Sequence, residues 1–164
     1  MSRLSGLGRI DRSRTLDFTF NGRALQGHPG DTLASALLAN DVHLVGRSFK
    51  YHRPRGFLSA GHEEPNAIVQ LELGARTEPN LRATEVPLYA GLDASSVNCW
   101  PSVDFDLRAV FGIGAPIMVA GFYNKTFKWP KAFWQSLYEP IIREAAGLGR
   151  APTEPDPDVY DRHQ

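Results

Sequence analysis

The stretch Thr15–Asn40 constrains the fold more than any other part of the chain. Leu16, Phe18 and Phe20 alternate with Thr15, Asp17 and Thr19, the period of a strand with one apolar face. Asn21-Gly22 follows, and a two-residue hairpin turn of this kind needs positive φ at both central positions, which Asn and Gly tolerate. Arg23 to His28 is then the return strand, ended by Pro29-Gly30. Asp31 or Thr32 can cap a helix by accepting from its free backbone N–H groups. Leu33, Ala34, Leu37 and Leu38 recur at helical spacing, with Asn40 as a left-handed stop.

Strand, tight turn, strand and helix in this order open a β-grasp, an α+β fold in which a sheet lies across one helix. A turn-rich connection over Leu58–Asn66 leads to a strand in which Ala67, Val69, Leu71 and Leu73 alternate with Ile68, Gln70 and Glu72. Pro79-Asn80 is predicted to turn the chain into a strand over Leu81–Val86, extended by Leu88–Gly91, which completes the fold near residue 97. The predicted organisation is an N-terminal arm over 1–14, loose unless a partner orders it, the β-grasp over 15–97, an aromatic-rich and partly helical extension over 98–150, and an acidic, proline-rich linker over 151–164. The extension carries a possible short helix around Val103–Val110 and a second helix beginning at Pro130, with Phe133, Leu137, Ile141 and Ala145 on one stripe, a kink at Pro140 and an end at Gly147. Trp100, Phe105 and the rings of FYNKTFKWPKAFW exceed what one short helix hides, so this block is expected to be an interface. The linker is expected to lead to a further domain. Within the chain a G-x-G-x-x-G dinucleotide fingerprint is incomplete, since Gly112-Ile113-Gly114 is followed by Ile117.

Between helix and second strand lies GRSFKYHRPRG, with Arg47, Lys50, Arg53 and Arg55, His52 among them, and no acid. The whole chain balances Lys+Arg 18 against Asp+Glu 18, which argues against a dedicated nucleic-acid binder and makes this run a local feature. Arg47, Lys50, Arg53 and Arg55 are the candidates for holding a cofactor phosphate or an acidic neighbouring surface. The competing reading is a solvated loop whose arginines bond nearby carbonyls and Glu63 or Glu64. Those two acids read as turn or ion-pair residues. His28, His43, His52, His62 and His163 are scattered without metal-site spacing, and His52 is the best placed of them for function. No catalytic residue and no metal ligand set emerges. The one cysteine, Cys99, reads as a small buried residue beside Trp100-Pro101. One thiol and no apolar signal segment suit a cytoplasmic protein, and no apolar run reaches the ~20 residues of a membrane span.

The segments FNGRALQGHPGDTLASALLAND, GRSFKYHRPRG and SAGHEEPNAIVQLE, with FYNKTFKWPKAFW and GLGRAPTEPDPDVYDRH further on, resemble the N-terminus of the α subunit of heterotetrameric sarcosine oxidase. The resemblance implies a ferredoxin-like domain that has lost its iron–sulfur cluster, set in an enzyme that oxidises sarcosine to glycine with peroxide formed and the one-carbon unit passed to tetrahydrofolate. It implies NAD, FAD, FMN and tetrahydrofolate in the complete enzyme and none in this chain. It implies as partners the remaining α-subunit domains and the β, γ and δ subunits, and a docking, noncatalytic role for this segment. The cluster's loss is checkable by ligand count. Three of its four cysteines stand as C-x4-C-x2-C in the loop before a strand, and Phe57–Asn66 contains none. The alternatives are a stand-alone oxidoreductase module with its own cofactor, a plain interaction module for an acidic partner, and a subunit of a related amine or opine dehydrogenase.

Overall fold

In the computed structural model, residues 3–4, 6–110, 133, 134, 138, 139, 142, 143, 147, 149, 150, 152, 154 and 155 are described. The elements run β1 (Leu16–Phe20), β2 (Arg23–Gly27), α1 (Leu33–Ala39), β3 (Gly46–Arg47), β4 (Pro54–Arg55), β5 (Ile68–Leu71), β6 (Glu78–Arg82) and β7 (Asp93–Ser96). Five strands form a mixed sheet in the order β2-β1-β7-β5-β6, while β3 and β4 form a separate two-stranded ribbon. The hairpin β1–β2 is in the expected register, with Phe18 opposite Leu25, and its turn residues Asn21 and Gly22 have φ of 51° and 74°. β1 lies parallel to β7, pairing Phe20 with Ala94, and β7 is antiparallel to β5. First and last strands side by side, with one helix packed into the core, make this a ferredoxin-like α+β domain.

The core follows from the two periods. Phe18, Phe20 and Leu25 from the hairpin meet Leu33, Ala34, Ala36 and Leu37 of α1, and Val69, Leu71, Leu92 and Ala94 close the cluster. Leu33 and Leu37 are wholly buried; each contributes about 1.5–3 kcal/mol relative to exposure. Thr32 is the helix cap. Its hydroxyl accepts from the Ser35 amide, and the Ser35 hydroxyl accepts in return from the Thr32 amide. The left-handed residue after α1 is Asp41 (φ 58°), not Asn40, which has φ −98° and accommodates its own amide on the last-turn carbonyls. Leu38 is half-buried while Ala36 and Ala39 are buried, so the helix's inner stripe is narrower in side-chain size than the leucines suggest.

The second half of the sheet departs from expectation in three places. Pro79-Asn80 does not turn the chain but sits inside β6, where the pairing with β5 shifts register. Among the described residues β6 is an edge strand, where proline is tolerated, and the positive φ of Asn80 (60°) forms an irregularity instead of an end. The turn falls earlier, in a 3-10 turn over Gly74–Arg76, and leaves Leu73 exposed. Residues 83–86 turn rather than extend, because the Ala83 and Val86 carbonyls accept the Ala34 and Leu33 amides at the start of α1. Among the described residues the last strand is β7, and Leu88–Gly91 only leads to it.

The described residues of the N-terminal arm make contacts with the domain. Arg3 donates two bonds to Asp31, at 2.8 and 2.7 Å, and the Asp11 amide donates to Pro29 O at 2.8 Å. Asp31, with its side chain wholly buried, also accepts from the His28 amide and the Ser35 hydroxyl. Burial pushes its carboxyl up, but the bonds from Arg3, Ser35 and His28 outweigh burial and hold it below the usual carboxylate range. The short helix expected over Val103–Val110 is a single 3-10 turn, Leu107–Val110. The aromatic block over 111–132 and most of the helix expected from Pro130 lie outside the described residues. No helix among the described residues is long and apolar enough to cross a membrane.

Candidate functional site

The basic run is a hairpin rather than an open loop. Gly46 pairs with Arg55 and Arg47 with Pro54, the latter at a position where proline's missing N–H costs little. The tip is closed by the Ser48 amide on Arg53 O, the His52 amide on Ser48 O, and the Arg53 amide on the Ser48 hydroxyl. His52 takes φ 52° to make that turn. Gly56 ends the hairpin under the preceding strand lead: a Cβ there would lie 2.5 Å from His43 O, so no larger residue fits without movement.

The four basic candidates divide. Arg47 points back into the protein, donating from Nε to Val103 O at 2.8 Å and from its terminal nitrogens to His52 O at 3.1 Å and Asp104 O at 3.3 Å. Arg55 donates to Asn66 Oδ1 at 2.7 Å. Lys50 and Arg53 instead flank the Tyr51 ring, 5.2 and 4.9 Å from its centroid, and among the described residues neither pairs with an acid. Phe49 and Tyr51 are exposed beside them. A cation over an aromatic face keeps its charge available while its stem is held. The outward surface is therefore Phe49, Lys50, Tyr51 and Arg53. The carbonyl bonds of Arg47 match the solvated-loop reading, but neither Arg47 nor Arg55 bonds Glu63 or Glu64.

His52 is buried and meets Asp106, Nδ1 to Oδ2 at 2.7 Å, with side-chain exposures of 8% and 1%. Asp106 Oδ1 also accepts from the amides of Trp100 (3.0 Å) and Arg108 (3.1 Å). This carboxylate ties the hairpin to the segment that follows the sheet, and sequence reasoning did not single it out. Cys99 is half-buried; burial first, and then Asp106, push its thiol up, so it is not an activated nucleophile. Trp100, Phe105, Leu107 and Val110 are exposed on the same segment. An open cleft of about 1200 Å³ is lined by Gln70, Glu72, Ser95, Asn98, Asp104 and Arg108 among others, and none of Arg47, Lys50, Arg53 or Arg55 lines it.

Glu64 is neither an ion-pair residue nor a simple turn residue. It is wholly buried. Its Oε2 accepts from the Leu58 and Ser59 amides, both at 2.6 Å, and its Oε1 from the Asn66 and Ala67 amides at 2.7 and 3.2 Å. Burial raises its carboxyl, but the four backbone donors outweigh burial and hold it below the ordinary range. Glu63, next to it, is exposed and approaches His62 at 3.8 Å. The chain path between Pro65 and Ala67 turns one acid inward and leaves the other in solvent.

Comparison with known proteins finds similar sequence at one end of much longer chains. It is 59% identical over 160 residues to the sarcosine oxidase subunit alpha of Rhizobium meliloti, covering 98% of this chain and 16% of that protein. It is 46% identical over 94 residues to the sarcosine oxidase subunit alpha of Corynebacterium sp. strain P-1, covering 56% of this chain and 10% of that protein. The chain thus spans about a sixth or less of the curated relatives it matches, at their N-terminal region. A solved structure, L-proline dehydrogenase from P. horikoshii, is 23% identical with a TM-score of 0.41, over 52% of this chain and 16% of that one.

The family described as 2Fe-2S iron-sulfur cluster binding domain matches residues 13–99, more than half of the 164-residue chain. Such a cluster is held by four thiolates. Residues 57–67 here offer a hydroxyl, an imidazole, two carboxylates and an amide, and the single thiol of the sequence is at Cys99. Among the described residues no group of three or more His, Cys, Asp or Glu side chains converges on a metal position. The donor set does not fit the cluster. By the span of its match and by its mixed sheet around one helix, the chain belongs to the 2Fe-2S iron-sulfur cluster binding domain family, as a member without the cysteine ligands.

Proposed function

We propose that this chain is the N-terminal portion of a sarcosine oxidase α subunit and serves there as a docking domain without catalytic groups of its own. The observation that carries the proposal is the 59% identity over 98% of the chain to one such subunit. The complete enzyme would oxidise the N-methyl group of sarcosine, a reaction that gives glycine and hydrogen peroxide with the one-carbon unit going to tetrahydrofolate. FAD, FMN, NAD and tetrahydrofolate would be bound by its other parts, in the cytoplasm. The arm, β-grasp, aromatic extension and linker (1–14, 15–97, 98–150 and 151–164) would be successive parts of one docking unit, with the linker running to a dinucleotide-binding domain.

The chain's contribution would be contact. Phe49, Lys50, Tyr51 and Arg53 offer apolar rings and two cations on one rigid hairpin tip, which suits an acidic surface of a neighbouring domain or subunit. Arg47 and Arg55 would support that tip from behind rather than bind a cofactor phosphate. The test is to purify the assembled oxidase carrying Lys50→Ala, Tyr51→Ala and Arg53→Ala together. The expected result is loss of subunit association with the chain itself still folded; unchanged assembly would refute docking through this tip. Sarcosine-dependent peroxide formation by the isolated 164-residue chain would refute the noncatalytic assignment.

A further inference from the structure

The loop 57–67 lies where a member of this family would hold its cluster, and its geometry is organised around one atom group. The amides that converge on the Glu64 carboxylate come from both ends of the loop, Leu58 and Ser59 on one side and Asn66 and Ala67 on the other. The plant-type cluster spacing is C-x4-C-x2-C. Laid over this loop with its middle position at Glu64, the spacing puts the first position at Ser59 and the third at Ala67. Ser59 and Ala67 are the two residues of that set whose own amides bond the carboxylate, one to each oxygen. The Ser59 hydroxyl is buried beside the Glu63 carboxylate. A fourth ligand in such proteins stands further along the chain. Here the buried Thr84, just past β6, donates from Oγ1 to Gly61 O at 2.8 Å, and the Ala83 amide donates to Ala67 O at 2.8 Å.

We infer that the Glu64 carboxylate stands in for the cluster as the anionic centre on which this loop is folded, with Ser59, Glu64, Ala67 and Thr84 at the four former ligand positions. The physical equivalence is direct. A cluster held by thiolates is an anionic body whose sulfurs accept backbone N–H bonds. An ionised carboxylate offers two oxygens with about four acceptor sites, and each oxygen here takes two amides. The loop keeps its shape, and with it the position of β5 and of the basic hairpin that precedes it, while electron transfer is given up. A neutral side chain at 64 would leave amides that point at one another's partial positive charge with nothing between them.

The first test needs no variant. Hydrogen exchange in the full-length protein should find the amides of Leu58, Ser59, Asn66 and Ala67 at least about a hundredfold slower than the exposed Ala60 amide; equal rates would overturn the inference. In Glu64→Ala the same four amides should lose at least about tenfold of that protection while β1 and β2 keep theirs, and unchanged protection would overturn it. The second test restores the ligands. A Ser59→Cys, Glu64→Cys, Ala67→Cys, Thr84→Cys variant, incubated anaerobically with ferric iron and sulfide, should take up two irons per chain and absorb in the visible. The unaltered protein should take up none, and a cluster on it would refute the substitution. A folded quadruple variant that binds no cluster would refute the assignment of the four positions. Where the variants fail to fold, the exchange rates of the unaltered protein still decide the matter.

Discussion

Replacing Asp106 with alanine should detach the basic hairpin from the segment that follows the sheet. The carboxylate is 1% exposed and accepts three bonds, from His52 Nδ1 and from the Trp100 and Arg108 amides. A hydrogen bond to a charged group contributes about 1.5–3 kcal/mol, and a buried donor left without an acceptor costs about 1–3 kcal/mol. The amides of Trp100 and Arg108 belong to residues with solvent access, so water recovers part of their loss. The His52 ring, 8% exposed, recovers little. The expected cost is therefore one full charged bond with a fraction of two others, about 2–4 kcal/mol. Asp106→Asn keeps an acceptor for the two amides and should cost about 1 kcal/mol. Urea unfolding reads both values from the midpoint, provided the slope is unchanged. For a chain of this size the alanine variant should melt roughly 5–15 °C lower. His52→Ala added to Asp106→Ala should cost little more, since the pair is already broken. A midpoint equal to that of the unaltered chain, or an asparagine variant as damaged as the alanine one, would refute the reasoning.

Two further outcomes follow from the buried carboxylates. Arg3→Ala leaves the wholly buried Asp31 carboxylate, among the described residues, with the His28 amide and the Ser35 hydroxyl, and should cost about 2–3 kcal/mol; denaturant midpoints measure this, and faster proteolytic cutting within residues 4–14 should accompany it. Asp31 and Glu64 both have folded carboxyls held below their ordinary values of 3.8 and 4.5. Their contribution to stability is therefore complete above about pH 5 and is lost as pH falls through the lower folded values. Unfolding free energy measured against pH should be flat near neutrality and fall steeply below about pH 4, and Glu64→Gln should flatten that acid limb; an identical limb in the variant would refute the assignment.

What the sequence made legible was local. Asn21-Gly22 carries its turn conformation in its own residues, and Thr32 and Leu33 carry their cap and burial, so the hairpin and the helix could be read directly. What was illegible depended on position in the finished sheet. β7 is Asp-Ala-Ser-Ser, poor in strand-forming residues, and only its place between β1 and β5 makes it a strand. Pro79-Asn80 has the composition of a turn, and becomes a bulge only because β6 is an edge. Glu64 looked like its neighbour Glu63 because composition does not say which of two adjacent acids faces inward. The signal that could have separated them is the fit of residues 59, 64 and 67 to a ligand spacing, with an acid at the middle position.

The basic run shows the same limit in the candidate site. As letters, Arg47, Lys50, Arg53 and Arg55 form one charged feature. As structure they are two populations, because a guanidinium with backbone carbonyls or an amide oxygen in reach is drawn inward, and among the described residues Lys50 and Arg53 at the hairpin tip show no such bond. Charge deletions at the two populations must then give opposite signatures. Changes at Arg47 or Arg55 remove packing bonds and lower stability wherever the chain is measured. Changes at Lys50 and Arg53 leave stability nearly untouched, since cation–ring contacts at exposed sites are worth only about 0.5–1 kcal/mol, and act on association, with a dependence on salt that the first pair lacks. A docking role that resided in the whole run, rather than in its tip, would erase that contrast.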